Sequence, residues 1–276
     1  MIITLSVLFI AYILLFLLSI RLRDNSIADV FWGVGFMIIA LGSFYFSPKE
    51  IPQYLLTGLI LLWGLRISTH IGKRKIKEQK EDPRYAKWRE EWGSGWYFYA
   101  RSFLQVYMLQ MILMIFVATP ILIVNFYSLS FRVETIVEIE KSAILYWADS
   151  SFVGITGQLF LIIGGFVAFF GLLIEMIADY QLAQFIKVKK PGEIFTTGLY
   201  RYSRHPNYFG ESMFWLGISL IGLTYSYFAI IGWIVITFLL LFVSGVPLQE
   251  ARYSGRPNWE EYKRKTSVFI PWFPKK

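Results

Sequence analysis

Apolar runs recur along the whole 276-residue chain and restrict its fold more than any other feature. A helix of about 20 mostly apolar residues matches the hydrocarbon thickness of a bilayer. No water reaches the backbone there, so a segment of that length has to close its hydrogen bonds within itself as a helix. Seven such segments are read at residues 3–20, 27–47, 53–71, 99–127, 152–178, 208–225 and 228–246. They predict an all-α membrane protein of seven transmembrane helices, forming one integral domain over residues 1–276. Charged residues make up only 17% of the chain, against roughly a quarter in soluble domains. The first run lacks the basic start and small-residue cleavage site of a signal peptide, so it is expected to remain a span.

The connecting segments differ in charge. Residues 73–89 carry eight Lys or Arg, 187–204 carry five, and the tail from 247 carries seven. The alternate segments are poor in them: 48–52 holds Lys49 alone, 225–228 holds none, and 128–150 sets Arg132 and Lys141 against Glu134, Glu138, Glu140 and Asp149. Alternation of this kind needs an odd number of spans. The positive-inside rule then places the N-terminus outside and the C-terminus in the cytosol. The net charge of +8 follows from these loops, so nucleic acid is not an expected partner. Within 73–98, Asp82-Pro83 breaks any helix, and Trp88, Trp92, Trp96 and Tyr97 follow among charges, as in an interfacial segment.

The chain has no cysteine and only two histidines, His70 and His205, which excludes disulfides and thiolate chemistry and leaves no expected metal site. Ionisable residues inside spans are costly and mark sites by default. Asp29, Arg66, Glu175, Asp179 and Glu211 are of this kind, with His70 near a span end, and all fall in the cytosolic halves under the orientation above. Glu175 and Asp179 are four apart on one helix face. Two carboxylates there repel unless a proton, a cation or a donor such as a ribose hydroxyl lies between them. Arg201, Arg204 and Lys189 of the following loop are candidate partners.

The densest stretch runs from Gly198-Leu199-Tyr200-Arg201-Tyr202-Ser203-Arg204-His205 to Pro206-Asn207-Tyr208-Phe209-Gly210-Glu211. Pro206 suits the first turn of a helix, whose free N–H groups and partial positive charge attract anions. Arg201 and Arg204 just before it complete a receptor for phosphate or carboxylate. Tyr200, Tyr202 and Tyr208 can wall a planar ring, and Asn207 both donates and accepts, as an amide ligand requires. In the tail, Glu250, Arg252 and Tyr262 are placed to close over a bound cofactor.

The stretches Asp179-Tyr180, Lys190-Pro191-Gly192-Glu193, Gly198-Leu199-Tyr200 and His205 to Glu211 resemble the C-terminal domain of steroid 5-alpha-reductases. The closer resemblance is to an uncharacterised bacterial membrane family grouped with them, which also shares Asp29-Val30-Phe31-Trp32, Trp63-Gly64-Leu65-Arg66 and Asp82-Pro83-Arg84-Tyr85. The resemblance implies a bacterial inner-membrane protein whose reductase-like part covers about 150–276, binding NADPH near the cytosolic side. It places cofactor-binding roles on Asp179, Lys189, Asn207 and Glu211, and the residue pattern itself adds Glu175, Arg201, Tyr202, Arg204, His205, Glu250, Arg252 and Tyr262 as cofactor-binding candidates. The implied reaction is reduction of a conjugated carbon–carbon double bond in a steroid-like or other apolar lipid entering from the bilayer. Asp29, Tyr202 and His205 are the candidates for polarising the substrate carbonyl. Where the steroid enzymes carry asparagine in the span-five pair, this chain has Glu175. Their Gln-Glu pair on span two is absent.

Two rival readings remain open at this point. Arg204-His205-Pro206-Asn207-Tyr208 with the later Glu250 also resembles isoprenylcysteine and phospholipid methyltransferases, which use S-adenosylmethionine. A non-enzymatic lipid-binding protein is the third reading.

Overall fold

The computed structural model describes residues 1–127 and 143–275, and their side chains except at 78, 127 and 143–155. The expected acidic loop 128–150 therefore lies outside the described residues from 128 to 142. The described chain is helical, with one isolated parallel bridge between Ser203 and Ser267. Six of its helical stretches are long and apolar enough to cross a membrane: Ile2–Leu22, Ile27–Tyr45, Ile51–Lys77, Trp96–Val117, Thr156–Val188 and Tyr227–Tyr253. The chain is thus a multi-pass membrane protein. Its contacts divide it into two compact units, Met1–Gly154 and Ile155–Lys276.

The first unit contains α1 (Ile2–Leu22), α2 (Ile27–Tyr45), α3 (Ile51–Glu78) and α4 (Pro83–Trp92). α5 (Trp96–Arg101) runs through a π turn into α6 (Leu109–Val117), and α7 (Thr119–Leu122) is followed by a second π turn. Helix starts follow local chemistry. Glu50 and Gln53 form a reciprocal capping box before α3. Asp82 caps α4, accepting the Arg84 N–H at 3.0 Å with Pro83 in the first position, so the expected helix breaker is a helix opener. α3 outlasts the apolar run that ended at 71, because a helix need not stop at the lipid surface when Lys, Arg and Glu continue it in water. The core is aromatic: Phe36, Trp63, Tyr12 and Tyr107 are fully buried, and Gly33 lets α2 and α3 meet so closely that a Cβ there would lie 2.4 Å from the Gly64 carbonyl.

The second unit holds most of α8 (Ala143–Val188), then α9 (Pro206–Leu223), α10 (Ile230–Phe238), α11 (Val246–Tyr253) and α12 (Trp259–Lys265). Phe166, Phe169 and Phe170 of α8 stay exposed, as lipid-facing side chains do. The sixth expected span, 208–225, corresponds to α9, which is not among the six apolar stretches. Its sequence explains this: Asn207, Glu211, Ser212, Ser219 and three glycines dilute its apolar residues, and eleven of its eighteen residues are buried in the protein. α8 and α9 cross at backbone distance through Gly164, Gly171, Gly210 and Gly217. A Cβ on Gly171 would stand 2.3 Å from the Phe214 nitrogen, and one on Gly210 would stand 2.6 Å from the Glu175 nitrogen. Small residues are the standard means of bringing membrane helices together.

Candidate functional site

The glycine crossing sets the position of the acids. Gly210 lies against the backbone of Glu175, so Glu175 and Glu211 are buried at the crossing. One turn further along α8, Asp179 accepts a hydrogen bond from the Asn207 amide at 3.3 Å. Asn207 is in the first turn of α9, which opens at Pro206 with His205 as its cap.

The segment before α9 folds as a single 3₁₀ turn, Gly198–Arg201. Gly198 has φ 61, and a Cβ there would strike the Gln181 side chain, whose oxygen accepts the Leu199 N–H at 2.9 Å. This turn drives Tyr200 inward against Phe195, with ring centres 4.9 Å apart. The Tyr200 carbonyl accepts from Tyr262 Oη at 2.6 Å, but its own buried Oη has no hydrogen-bond partner among the described residues. Burial raises the Tyr200 pKa, and the charge of Asp179 and then the phenols of Tyr253, Tyr208 and Tyr262 add to the effect. Tyr200 therefore keeps its proton throughout the physiological range.

Arg204, His205 and Glu250 form a second cluster. Arg204 Nε lies 2.8 Å from Glu250 Oε1, and its Nη1 donates to the carbonyls of Lys263 and Thr266 at 2.6 and 3.1 Å. His205 Nε2 is 3.3 Å from the same Glu250 oxygen, and the ring stacks on Tyr208 at 5.5 Å. Burial lowers the His205 pKa against the opposing pull of Glu250, so the imidazole is neutral at pH 7. A carboxylate only accepts, so the ring proton sits on Nε2 facing Glu250. The tail straps this segment down: Ser203 Oγ donates to the Phe269 carbonyl at 2.7 Å, Arg204 N–H to Ser267 at 2.8 Å, and Trp272 N–H to Tyr202 at 2.9 Å.

Lys189, Arg201 and Arg252 are exposed, with Arg201 lying 6.0 Å over the Tyr202 ring. In the first unit, Asp29 accepts from Arg84 Nη2 at 2.6 Å and Tyr85 Oη at 2.7 Å. Both its oxygens are engaged, the arrangement of an acceptor in an ion pair. Asp29 thus belongs to a different unit from Tyr202 and His205. Arg66 is half-buried and His70 exposed on α3.

The chain matches the family described as "Protein of unknown function (DUF1295)" over residues 15–145 and 124–266. It belongs to the DUF1295 family. No curated protein and no solved structure matches it. In this DUF1295 chain, sequence reasoning gathered the dense 198–211 stretch but gave Tyr200 only a wall-lining part. It did not foresee that Tyr200 is buried with a raised pKa, with Asp179, Tyr253, Tyr208 and Tyr262 acting on it. The available signal was Gly198, since glycine is the residue that takes the positive φ of a tight turn, here two residues before Tyr200.

Proposed function

We propose that this DUF1295 protein is an NADPH-dependent reductase of the bacterial inner membrane, related to the steroid 5-alpha-reductases, acting on a conjugated carbon–carbon double bond in an apolar lipid. The observation that carries the reading is the Tyr200 hydroxyl, buried without an acceptor among the described residues and under the charge of Asp179, whose carboxylate takes the Asn207 amide. The carboxylate and the amide fit the hydroxyls and carboxamide of a nucleotide cofactor, and the phenol oxygen can accept from a cofactor hydroxyl while its proton is given to a substrate. Exposed Lys189, Lys190 and Arg201 on the adjoining loop fit its phosphates. NADPH bound there would supply the hydride. The protein's part is to hold Asp179 and Asn207 in place through the α8–α9 crossing and to keep a proton on Tyr200 as the hydrogen-bond donor to a substrate carbonyl. Tyr200 suits that task better than His205, whose proton already faces Glu250. Asp29 is an ion-pair anchor of α2 to α4 in this reading.

The seven-span topology with the N-terminus outside is part of the proposal. α9, at 18 residues, is about 27 Å long, close to the hydrocarbon thickness. It crosses with its polar residues covered by protein. The direct test is loss of NADPH absorbance when purified protein is given a conjugated enone lipid. Turnover that requires the enone supports the proposal, and none with any enone lipid removes it.

One observation favours the second reading, an S-adenosylmethionine-dependent methyltransferase. Arg204 is consumed by Glu250 and two carbonyls, so its guanidinium is not available to phosphate. A sulfonium ligand needs no such neutralisation.

A further inference from the structure

After α12 the chain runs as an extended strap from Thr266 to Lys275, fixed along its length. Its Ser267 and Phe269 carbonyls accept from the Arg204 N–H and Ser203 Oγ at 2.8 and 2.7 Å, and its Trp272 N–H donates to the Tyr202 carbonyl at 2.9 Å. The Lys275 N–H returns to the Lys265 carbonyl at 2.9 Å and closes the strap on the end of α12. Pro271 and Pro274 keep this segment out of a helix. Phe269 turns inward and packs edge-on against Phe209 of α9, with ring centres 5.8 Å apart. Val268, Ile270 and Trp272 fall at alternate positions, so an extended chain points them the other way. Ile270 is 63% exposed, Trp272 70% and the following Phe273 75%, with Val268 also exposed. Contiguous exposed apolar side chains on a backbone held in place mark an interaction surface.

What lies against this surface follows from its depth. Glu250 is in the last turn of the membrane-crossing stretch Tyr227–Tyr253, whose 27 residues are enough to cross the hydrocarbon and end among headgroups. Arg204 bonds Glu250 at 2.8 Å, and the strap is paired with Tyr202, Ser203 and Arg204. The strap is therefore held at the level where hydrocarbon gives way to water. Tryptophan is enriched at that level, with its ring among the headgroups. The exposed Lys275 ends the strap with a cation suited to lipid phosphate. A second copy of the chain fits less well, since a stable protein contact wants about 800 Å² from each partner and this is one row of side chains.

We propose that residues 268–273 form a membrane-surface anchor, with Ile270, Trp272 and Phe273 seated in the headgroup layer of the phospholipid bilayer. Through its backbone bonds the anchor fixes the depth of Tyr202, Ser203 and Arg204, whichever cofactor the second unit takes.

The chain has no cysteine, so the test is a single Ile270→Cys substitution in the full-length protein, labelled with a small fluorophore and placed in phosphatidylcholine nanodiscs. Two quenchers are compared: iodide in the water, and bromine carried on the lipid chains close to the headgroup. The anchor predicts strong quenching by the bromolipid. It also predicts several-fold weaker quenching by iodide than at Glu261→Cys, an exposed position on α12. Iodide quenching equal to that at Glu261→Cys would put the strap in water and overturn the proposal. Shielding from both quenchers would put it against protein and overturn it too, as would stronger quenching by bromine at the chain ends than by bromine near the headgroup. Phe273→Cys, labelled and quenched in the same way, gives an independent reading on the same terms should Ile270→Cys lower the melting temperature.

Discussion

Tyr200 and Arg204 are four residues apart and have opposite hydrogen-bonding states, which makes their substitutions diagnostic. The Tyr200 hydroxyl is buried without a partner among the described residues. Tyr200→Phe should leave the melting temperature unchanged or slightly higher, because an unsatisfied buried donor is removed. The same change should weaken NADPH binding by about tenfold if that hydroxyl serves the ligand. Arg204 is the reverse case. Its removal strands Glu250 and two carbonyls, and losing this half-buried pair costs about 1–3 kcal/mol. Arg204→Ala is therefore expected to lower the melting temperature sharply, and a normal melt would deny Arg204 its structural part. His205 adds a pH signature. Its folded pKa is lowered by burial, so its contribution to stability is full above the unfolded value of about 6.5 and is lost as pH falls through the folded one. Melts between pH 8 and 5 should fall more steeply for the parent than for His205→Gln. From the sequence, Arg204 reads as a phosphate ligand because it precedes a helix start. The partner that occupies it, Glu250, is 46 residues away, and one sequence does not record such a pairing.

At the scale of elements, the α8–α9 crossing holds the site together. Gly171→Ala would place a methyl 2.3 Å from a backbone nitrogen and overpack the crossing by about 1–3 kcal/mol. The expected result is a lower melting temperature and a loss of cofactor binding larger than the instability explains, because Asp179 and Asn207 move apart. Hydropathy made the spans legible, since a lipid-facing helix has to be apolar. It did not make their ends legible. α3 continues to Glu78 through a basic run, and α9 begins at Pro206, ahead of the apolar residues, because its cap chemistry lies there. The π turns at Ser102–Met108 and Leu239–Val243 leave no mark on periodicity. In the loop between α1 and α2, burial acts to raise the Asp24 pKa, but the bonds from Lys75 and Ser26 win and lower it. Stability from Asp24 is therefore present above about pH 3.9 and lost below it. Acid melts should lose that step in Asp24→Asn.

At the scale of the whole molecule, the membrane class was open to sequence reasoning because composition alone opposes a soluble fold. The number of spans was less so: α9 is too polar for a lipid-facing span and is mostly buried in the protein, and its crossing belongs to the proposal. Orientation can be read directly in a chain that has no cysteine. Lys80→Cys should label from the cytosolic side, and labelling from outside would invert the topology. The proposed chemistry depends on the second unit receiving a phosphorylated dinucleotide at Asp179, Asn207 and Tyr200. The most direct measurement is the melting temperature of the purified protein titrated with NADPH and, separately, with S-adenosylmethionine. The reductase account predicts a saturable rise with NADPH that Tyr200→Phe weakens. A rise with S-adenosylmethionine alone, or with neither ligand, would contradict it.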